Sequence, residues 1–236
     1  LERAISRGEK ILVWGDFDVD GQTSTALLVS SLRQLGAEAS FHIPVRTVES
    51  HGINLAVLKN LLEHSLPERP GLLLTCDTGV SAHEAVHYAQ SLGVEVIITD
   101  HHELPPNLPP AFAVINPKLL PEKHPLAALP GVGVVYKLME ALSARVGRPE
   151  LAQDVLDLVA LGIIADLALL VNDNRYLVQR GLEQIRSTPR PGLQAMMEFA
   201  ELDPTWVSEE HLSFILAPRL NALGRLSDAN PAVELL

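Results

Sequence analysis

The stretch ILVWGDFDVDGQTSTALL, residues 11–28, decides the fold. Four apolar residues, Ile11, Leu12, Val13 and Trp14, run into Gly15 and then into aspartates at every second position: Asp16, Asp18 and Asp20. Gly21 follows, and an amphipathic segment begins. A short apolar run that ends at glycine and passes into a helical period reads as a buried strand feeding a helix. Two carboxylates about 5 Å apart repel by roughly 3 kcal/mol at an effective dielectric near 20. Three of them at the end of a buried strand therefore call for a cation, a raised pKa or full solvation.

The same unit repeats outward from this stretch. Apolar runs predict strands over 10–15, 38–43, 71–76, 94–99 and 111–115, with helices over 22–35, 54–64 and 81–92 between them. Continuous apolar strands separated by helices predict an α/β fold, a parallel sheet covered by helices. After Asn116 the texture changes. PKLLPEKHPLAALPG, residues 117–131, is a Pro-rich connection, and helical patterns follow over 134–146, 149–165, 173–187, 192–200 and 208–216. The expected organisation is a sheet lobe over 1–125 and a helical lobe of the same core over 126–236.

The 236 residues are 47% apolar and 20% charged, enough to bury a core. No apolar run approaches the 18 or so residues of a membrane span. LERAISRGEK, at the start, lacks the apolar centre of a signal peptide. The single cysteine, Cys76, excludes an intrachain disulfide and fits a reducing, cytoplasmic setting. A chain without an initial Met that stops inside a helical pattern, NPAVELL, is expected to be an excerpt of a longer protein. The net charge of −11 argues against a wholly basic nucleic-acid binder, although two divalent cations would bring it to −7. Aromatic residues are only 4%, too few for a base-stacking platform.

Polar clusters follow four of the predicted strands. Asp16, Asp18 and Asp20 follow the first and Asp77, in LLLTCDTGVSA, the third. Asp100, His101 and His102, in VIITDHHE, follow the fourth, and Asn116 the fifth. A parallel sheet brings all its carboxyl ends to one edge, where ligands bind, so these residues are expected to converge. Asp166 lies in the most apolar stretch of the helical half, LGIIADLALL, where a charge needs a partner. An Asp-rich set with a histidine suits Mg²⁺ or Mn²⁺. Five or more ligands exceed one tetrahedral site and suit two ions about 3.5–4 Å apart, a pair that activates water for attack at phosphorus. Arg46, in HIPVRTVESHGIN, and Arg219, Asn221 and Arg225, in APRLNALGRLSDA, offer the anion-binding side, with bidentate arginines suited to phosphate. The apolar residues of PRLNALGR suggest a packed turn.

Other readings of these residues are weaker. Asp16-x-Asp18-x-Asp20-Gly21 matches half of a calcium loop, but position twelve is Leu27 rather than Glu and a strand precedes it. A haloacid-dehalogenase-like nucleophile loop would not be accompanied by paired histidines. Gly131-Val132-Gly133 lacks the third glycine of a dinucleotide fingerprint, yet it could open a helix whose N-terminus faces an anion. Cys76 reads as a small core residue.

Together, GDFDVDG, CDTGVSA, ITDHHE, INPK, LPGVGVVYKL and IIADLALL resemble the DHH phosphoesterase superfamily, which takes its name from the motif formed here by Asp100, His101 and His102. PRLNALGR narrows the resemblance to the RecJ type, and it covers about residues 11–229. The resemblance implies a metal-dependent 5′→3′ exonuclease of single-stranded DNA, using two Mn²⁺ or Mg²⁺ ions, in DNA repair and recombination. The alternative within the superfamily is a phosphodiesterase of oligoribonucleotides or cyclic dinucleotides. Outside it, the alternative is a non-catalytic metal- or nucleotide-binding module. The resemblance further implies that Asp18 serves one metal and Asp20 the other, and that Asp77 bridges them. His101 and Asp166 would complete the second site, Asp16 would lie close by, and His102, with Arg219, would hold the scissile phosphate. Asp100, His101 and His102 form the catalytic motif. Pyrophosphatase-like relatives carry a histidine four positions before their first motif Asp. Trp14 stands there in this chain, which would leave one metal with fewer protein ligands. A DHHA1 domain and an oligonucleotide-binding fold, expected in such enzymes, are not visible in these residues, so the fragment alone is expected to bind metal but degrade DNA poorly. A monomer that works with a helicase or a single-strand-binding protein completes the expectation.

Overall fold

The computed structural model describes residues 1–236, the whole of the sequence. A short helix, α1 (Glu2–Arg7), precedes the first strand, β1 (Ile11–Trp14). Helix α2 (Val19–Gln34) leads to β2 (Ala39–His42). Two short helices, α3 (Arg46–Glu49) and α4 (Leu55–Asn60), return the chain to β3 (Leu72–Cys76), with a π-helical turn over Leu61–Ser65 continuing α4. Helix α5 (His83–Ser91) connects to β4 (Glu95–Thr99), and β5 (Ala113–Ile115) completes the sheet. All neighbours are parallel, in the order β2-β1-β3-β4-β5. Each of the five strands falls within its expected span.

Side chains alternate across the sheet, and both faces are covered. Ile11, Val13, Leu72, Leu74 and Ile97 point into one apolar cluster, while Leu12, Trp14, Leu73, Val96 and Ile98 point into the other. The smaller cluster packs on α4 and α5 through Leu58, Ala85, Val86 and Ala89. Strands buried on both faces must be apolar at every position, which is why the runs show no polar alternation. The chain leaves β1 toward β2 on one side and returns to β3 on the other. The crevice at such a reversal lies beyond the carboxyl ends of β1 and β3, where Asp16–Asp20 and Asp77 follow.

The second half is helical: α6 (Gly131–Arg145), α7 (Glu150–Gln153), α8 (Leu156–Ala165), α9 (Asn172–Ile185), α10 (Pro191–Phe199), α11 (Glu209–His211), α12 (Ala217–Leu226) and α13 (Asn230–Leu235). Its apolar residues join the larger cluster, which runs from the sheet through Leu27, Leu28 and Leu32 of α2 to Val132, Leu158, Leu161 and Leu182. α2 lies against both α6 and α8.

Three expectations need correction. The helix expected from residue 22 begins at Val19, because Asp18 caps it by accepting the Gly21 N–H at 3.0 Å. The helix expected over 149–165 is broken around Asp154 and Val155. There the Asp154 carbonyl accepts from Arg190 Nη2 at 3.3 Å and the Asp157 N–H donates to Gln184 Oε1 at 3.0 Å, so tertiary partners replace intrahelical ones. The expected packed turn at PRLNALGR is the helix α12, with Pro218 in its first turn, where proline costs nothing.

Candidate metal centre

β1, β3 and β4 each deliver carboxylates to the same edge. Asp77 follows β3 in the left-handed conformation, φ +59°, a strained position that aspartate tolerates better than most residues. The turn behind it is tied by Thr75 Oγ1, which donates to the Thr78 carbonyl at 2.6 Å. Asp20 lies in the first turn of α2, and Asp166 follows the last residue of α8. His101 joins these groups: its Nε2 lies 3.0 Å from Asp77 Oδ1 and 3.8 Å from Asp20 Oδ2, and its Nδ1 lies 4.0 Å from Asp166 Oδ2. Asp77, His101 and His102 form one group with metal-ligand spacing, and Asp20, His101 and Asp166 form a second. Asp18 stays outside both groups as the cap of α2, but its charge reaches Asp20, Asp77 and Asp166.

The electrostatics are those of a site short of positive charge. Burial, then the charge of Asp18 and Asp16, holds the Asp77 carboxyl well above the ordinary range. Burial, then Asp77, does the same to Asp20. Burial lifts Asp166 and takes Asp16 to about 6. Asp77 Oδ1 is buried and accepts no well-aligned hydrogen bond; its nearest nitrogen is His101 Nε2, at 3.0 Å. A buried carboxylate oxygen with no aligned donor, among like charges and beside an imidazole, fits a divalent cation.

The Gly131-Val132-Gly133 reading resolves here. The anion at the N-terminus of α6 is the protein's own Asp20: Gly131 N–H donates to Oδ2 at 2.6 Å and Val132 N–H to Oδ1 at 2.7 Å. These amides and the helix dipole oppose the burial penalty and fix the carboxylate's orientation. Residue 131 must be glycine, since a Cβ there would stand 2.6 Å from Asp77 Oδ1. Sequence reasoning missed these two amides.

Asp100 takes a different part from its neighbours. It accepts the Val80 N–H at Oδ2 (2.8 Å), and at Oδ1 the N–H groups of His101 (2.7 Å) and His102 (3.1 Å) and the Nδ1–H of His102 (2.8 Å). Burial alone would raise its pKa, but the His102 ring and the backbone donors hold it below the ordinary value. Asp100 is therefore a brace rather than a metal ligand. It raises the pKa of His102 and engages Nδ1, which leaves Nε2 uncommitted on a half-exposed ring. Asn116 donates to the His102 carbonyl at 3.0 Å and steadies the same loop.

The other expected residues surround this centre. Asn221 Oδ1 accepts the Val19 N–H at 3.1 Å, which fastens α12 to the aspartate loop. Gly224 lets α12 lie against that loop, where a Cβ would meet the Phe17 carbonyl oxygen at 1.9 Å. Arg46 is exposed, with its guanidinium carbon 4.9 Å from the Phe17 ring centre. Arg219 and Arg225 are exposed on α12, and Arg219 Nη1 donates to the Ile215 carbonyl at 2.6 Å. Trp14 is fully buried in the smaller core cluster, its Nε1–H donating to the Gly52 carbonyl at 3.2 Å.

Comparison with known proteins agrees with this geometry. The chain is 42% identical over its whole length to the single-stranded-DNA-specific exonuclease RecJ of Bacillus subtilis, covering 29% of that protein. It is 40% identical to the single-stranded-DNA-specific exonuclease RecJ of Escherichia coli, covering 42% of that protein. All of the chain superposes on the crystal structure of exonuclease RecJ bound to manganese, with a TM-score of 0.90, 37% identity and 58% of that chain covered. The crystal structure of RecJ from Thermus thermophilus in complex with Mn²⁺ matches with a TM-score of 0.86 at 36% identity, 33% of it covered. The chain thus spans well under two thirds of these relatives. The model of the DHH family, N-terminal domain, matches residues 10–163. With the motif aspartates and histidines gathered at one sheet edge and the family model spanning most of the chain, this protein belongs to the DHH family.

Proposed function

We propose that this chain is the catalytic core of a divalent-metal-dependent 5′→3′ exonuclease that hydrolyses phosphodiester bonds of single-stranded DNA, in repair and recombination. One observation carries the reading: the buried Asp77 Oδ1, without an aligned donor amid Asp16, Asp18, Asp20 and Asp166, with His101 3.0 Å away. Resemblance over the full chain to RecJ, whose crystal structures hold Mn²⁺ or Mg²⁺, supports the substrate class and the ions.

In this reading Asp18, Asp20, Asp77, His101 and Asp166 hold two Mn²⁺ or Mg²⁺ ions. Bound there, such ions supply an activated water at neutral pH and neutralise charge on the phosphoryl oxygens. The chain's own residues do the rest. Gly131 and Val132 keep the Asp20 carboxylate aimed into the site. Asp100 holds the His102 ring by its Nδ1–H and favours its protonated form, whose Nε2–H binds the scissile phosphate. Arg46, Arg219 and Arg225 supply positive charge for neighbouring phosphates on exposed positions. A groove of about 710 Å³ reaches Asp166 past Lys118, Lys123 and Leu169, with room for a nucleotide. The sheet lobe over 1–125 and the helical lobe over 126–236 act as one core. The same reading places the protein in the cytoplasm as a monomer, working beside a helicase or a single-strand-binding protein. No helix is long and apolar enough to cross a membrane.

The test is product analysis on a 5′-labelled single strand, using the full-length protein with Mn²⁺. Labelled mononucleotide released from long DNA is the expected result. Inertness toward long DNA with cleavage of short oligoribonucleotides or cyclic dinucleotides would assign the chain to another phosphodiesterase branch. Undiminished hydrolysis by Asp77→Ala would refute the site itself.

A further inference from the structure

The segment after β2 is held in a conformation that a plain surface loop would relax. Ser50 lies on the left-handed side of the map, at φ +67° and ψ −165°, a region all but reserved for glycine, and Gly52 follows at φ +81°. Tertiary bonds over-determine this shape. His42 Nε2 lies 2.8 Å from Glu49 Oε2, both side chains largely buried, and the His42 ring lies 4.6 Å from that of Trp14. Asn54 Nδ2 donates to the Glu49 carbonyl at 3.2 Å, and Trp14 Nε1 donates to the Gly52 carbonyl at 3.2 Å. The loop rests against the Asp77 turn, since a Cβ at Gly52 would stand 3.9 Å from Thr78 Oγ1.

The residue presented between the two left-handed positions is His51. It is exposed, between Arg46, whose guanidinium lies over the Phe17 ring next to Asp16, and Gly52, which packs on the Asp77 turn. The same segment carries Arg46 over Phe17, and α3 packs against α12, the helix that bears Arg219. Strained backbone persists where its surroundings enforce it, and it gathers at functional sites. A solvated histidine would require none of this support.

We propose that His51 is a substrate-positioning residue whose imidazole donates a hydrogen bond to a phosphate oxygen of the bound strand, at the β2 edge of the site beside Arg46. This rests on the phosphodiesterase reading above. The residue acts on binding; it neither holds the ions nor moves a proton.

The test compares wild type, His51→Ala and His51→Gln in the full-length protein. Binding of a fluorescent, 5′-phosphorylated oligothymidylate is followed by anisotropy with Ca²⁺, so that the strand stays whole. Steady-state kinetics, Mn²⁺ titration and thermal unfolding accompany it. His51→Ala should weaken strand binding and raise KM about tenfold, the size of one hydrogen bond to a charged group. Its kcat should stay within about twofold, with Mn²⁺ affinity and Tm unchanged, and His51→Gln should recover most of the loss. Unaltered binding in His51→Ala would overturn the inference while leaving the functional reading intact. So would a loss that tracks falling Mn²⁺ affinity or Tm and is not restored by Gln. A wild-type protein that binds no strand would overturn the functional reading itself.

Discussion

Asp20, Asp77 and Asp100 are all but sealed from solvent beyond the carboxyl ends of β1, β3 and β4, whereas Arg46, Arg219 and Arg225 stand exposed on α3 and α12. The acidic set is fixed from outside itself. Backbone N–H groups orient Asp20 and Asp100, and Gly131 packs so close to Asp77 that a Cβ there would meet its carboxyl. The arginines are held more loosely, Arg46 over the Phe17 ring and Arg219 on the Ile215 carbonyl, both from exposed positions. A reacting centre gains from donors and charges that do not reorganise. The contrast separates a preformed acidic centre from exposed cationic side chains that can adjust.

The sharpest way to break this contrast is Asp77→Asn. Asparagine keeps the shape and tolerates φ +59° but removes a charge, so hydrolysis should fall by about 10³-fold. Metal-free protein should become more stable by thermal unfolding in chelator, because an ionised carboxyl held above its usual pKa costs stability at neutral pH. A variant that is less stable as well as inactive would make Asp77 a structural residue. Asp100→Asn comes next. It leaves the ion ligands in place but loosens the His102 ring, and kcat should drop about 10–100-fold with Mn²⁺ affinity nearly unchanged. Parallel loss of Mn²⁺ binding would make Asp100 a ligand. Gly131→Ala forces a methyl group against the Asp77 carboxyl and should cost about 1–3 kcal/mol in denaturant unfolding; an unchanged midpoint would show that the contact is slack.

The smallest effect is on pH dependence. Asp16, Asp20, Asp77 and Asp166 all have folded pKa values raised by burial, so each binds its proton more tightly folded than unfolded. The contribution of Asp16 is therefore lost as pH rises from about 4 through 6, and that of the other three is lost in the same direction. His102, raised by Asp100, adds loss in the same direction above its unfolded pKa. Metal-free protein should melt a few degrees lower at pH 7 than at pH 5, a difference that Mn²⁺ should erase. A Tm that climbs across this window without metal would contradict the electrostatics.

Much of this was legible before any coordinates. Runs such as Leu72-Leu73-Leu74 announce a doubly covered strand, and strand ends that share an edge must bring Asp77 and His101 together. The amides on Asp20 were not legible, since that contact spans 111 residues and uses backbone groups that every residue type carries. Asn221 shows a related limit. Its residue type suits a phosphate contact and a structural cap equally well, and only the packing of α12 on the aspartate loop reveals the bond to Val19. The break at Asp154–Val155 was hidden for the same reason, because its partners, Arg190 and Gln184, lie on other elements.

The most direct measurement is an anomalous difference map at the manganese edge, from crystals soaked in Mn²⁺. Two neighbouring peaks, ligated among Asp18, Asp20, Asp77, His101 and Asp166 with Asp77 Oδ1 in contact with metal, are the expected result. An empty map at that edge, with Asp77 Oδ1 satisfied by a protein or water donor instead, would contradict it.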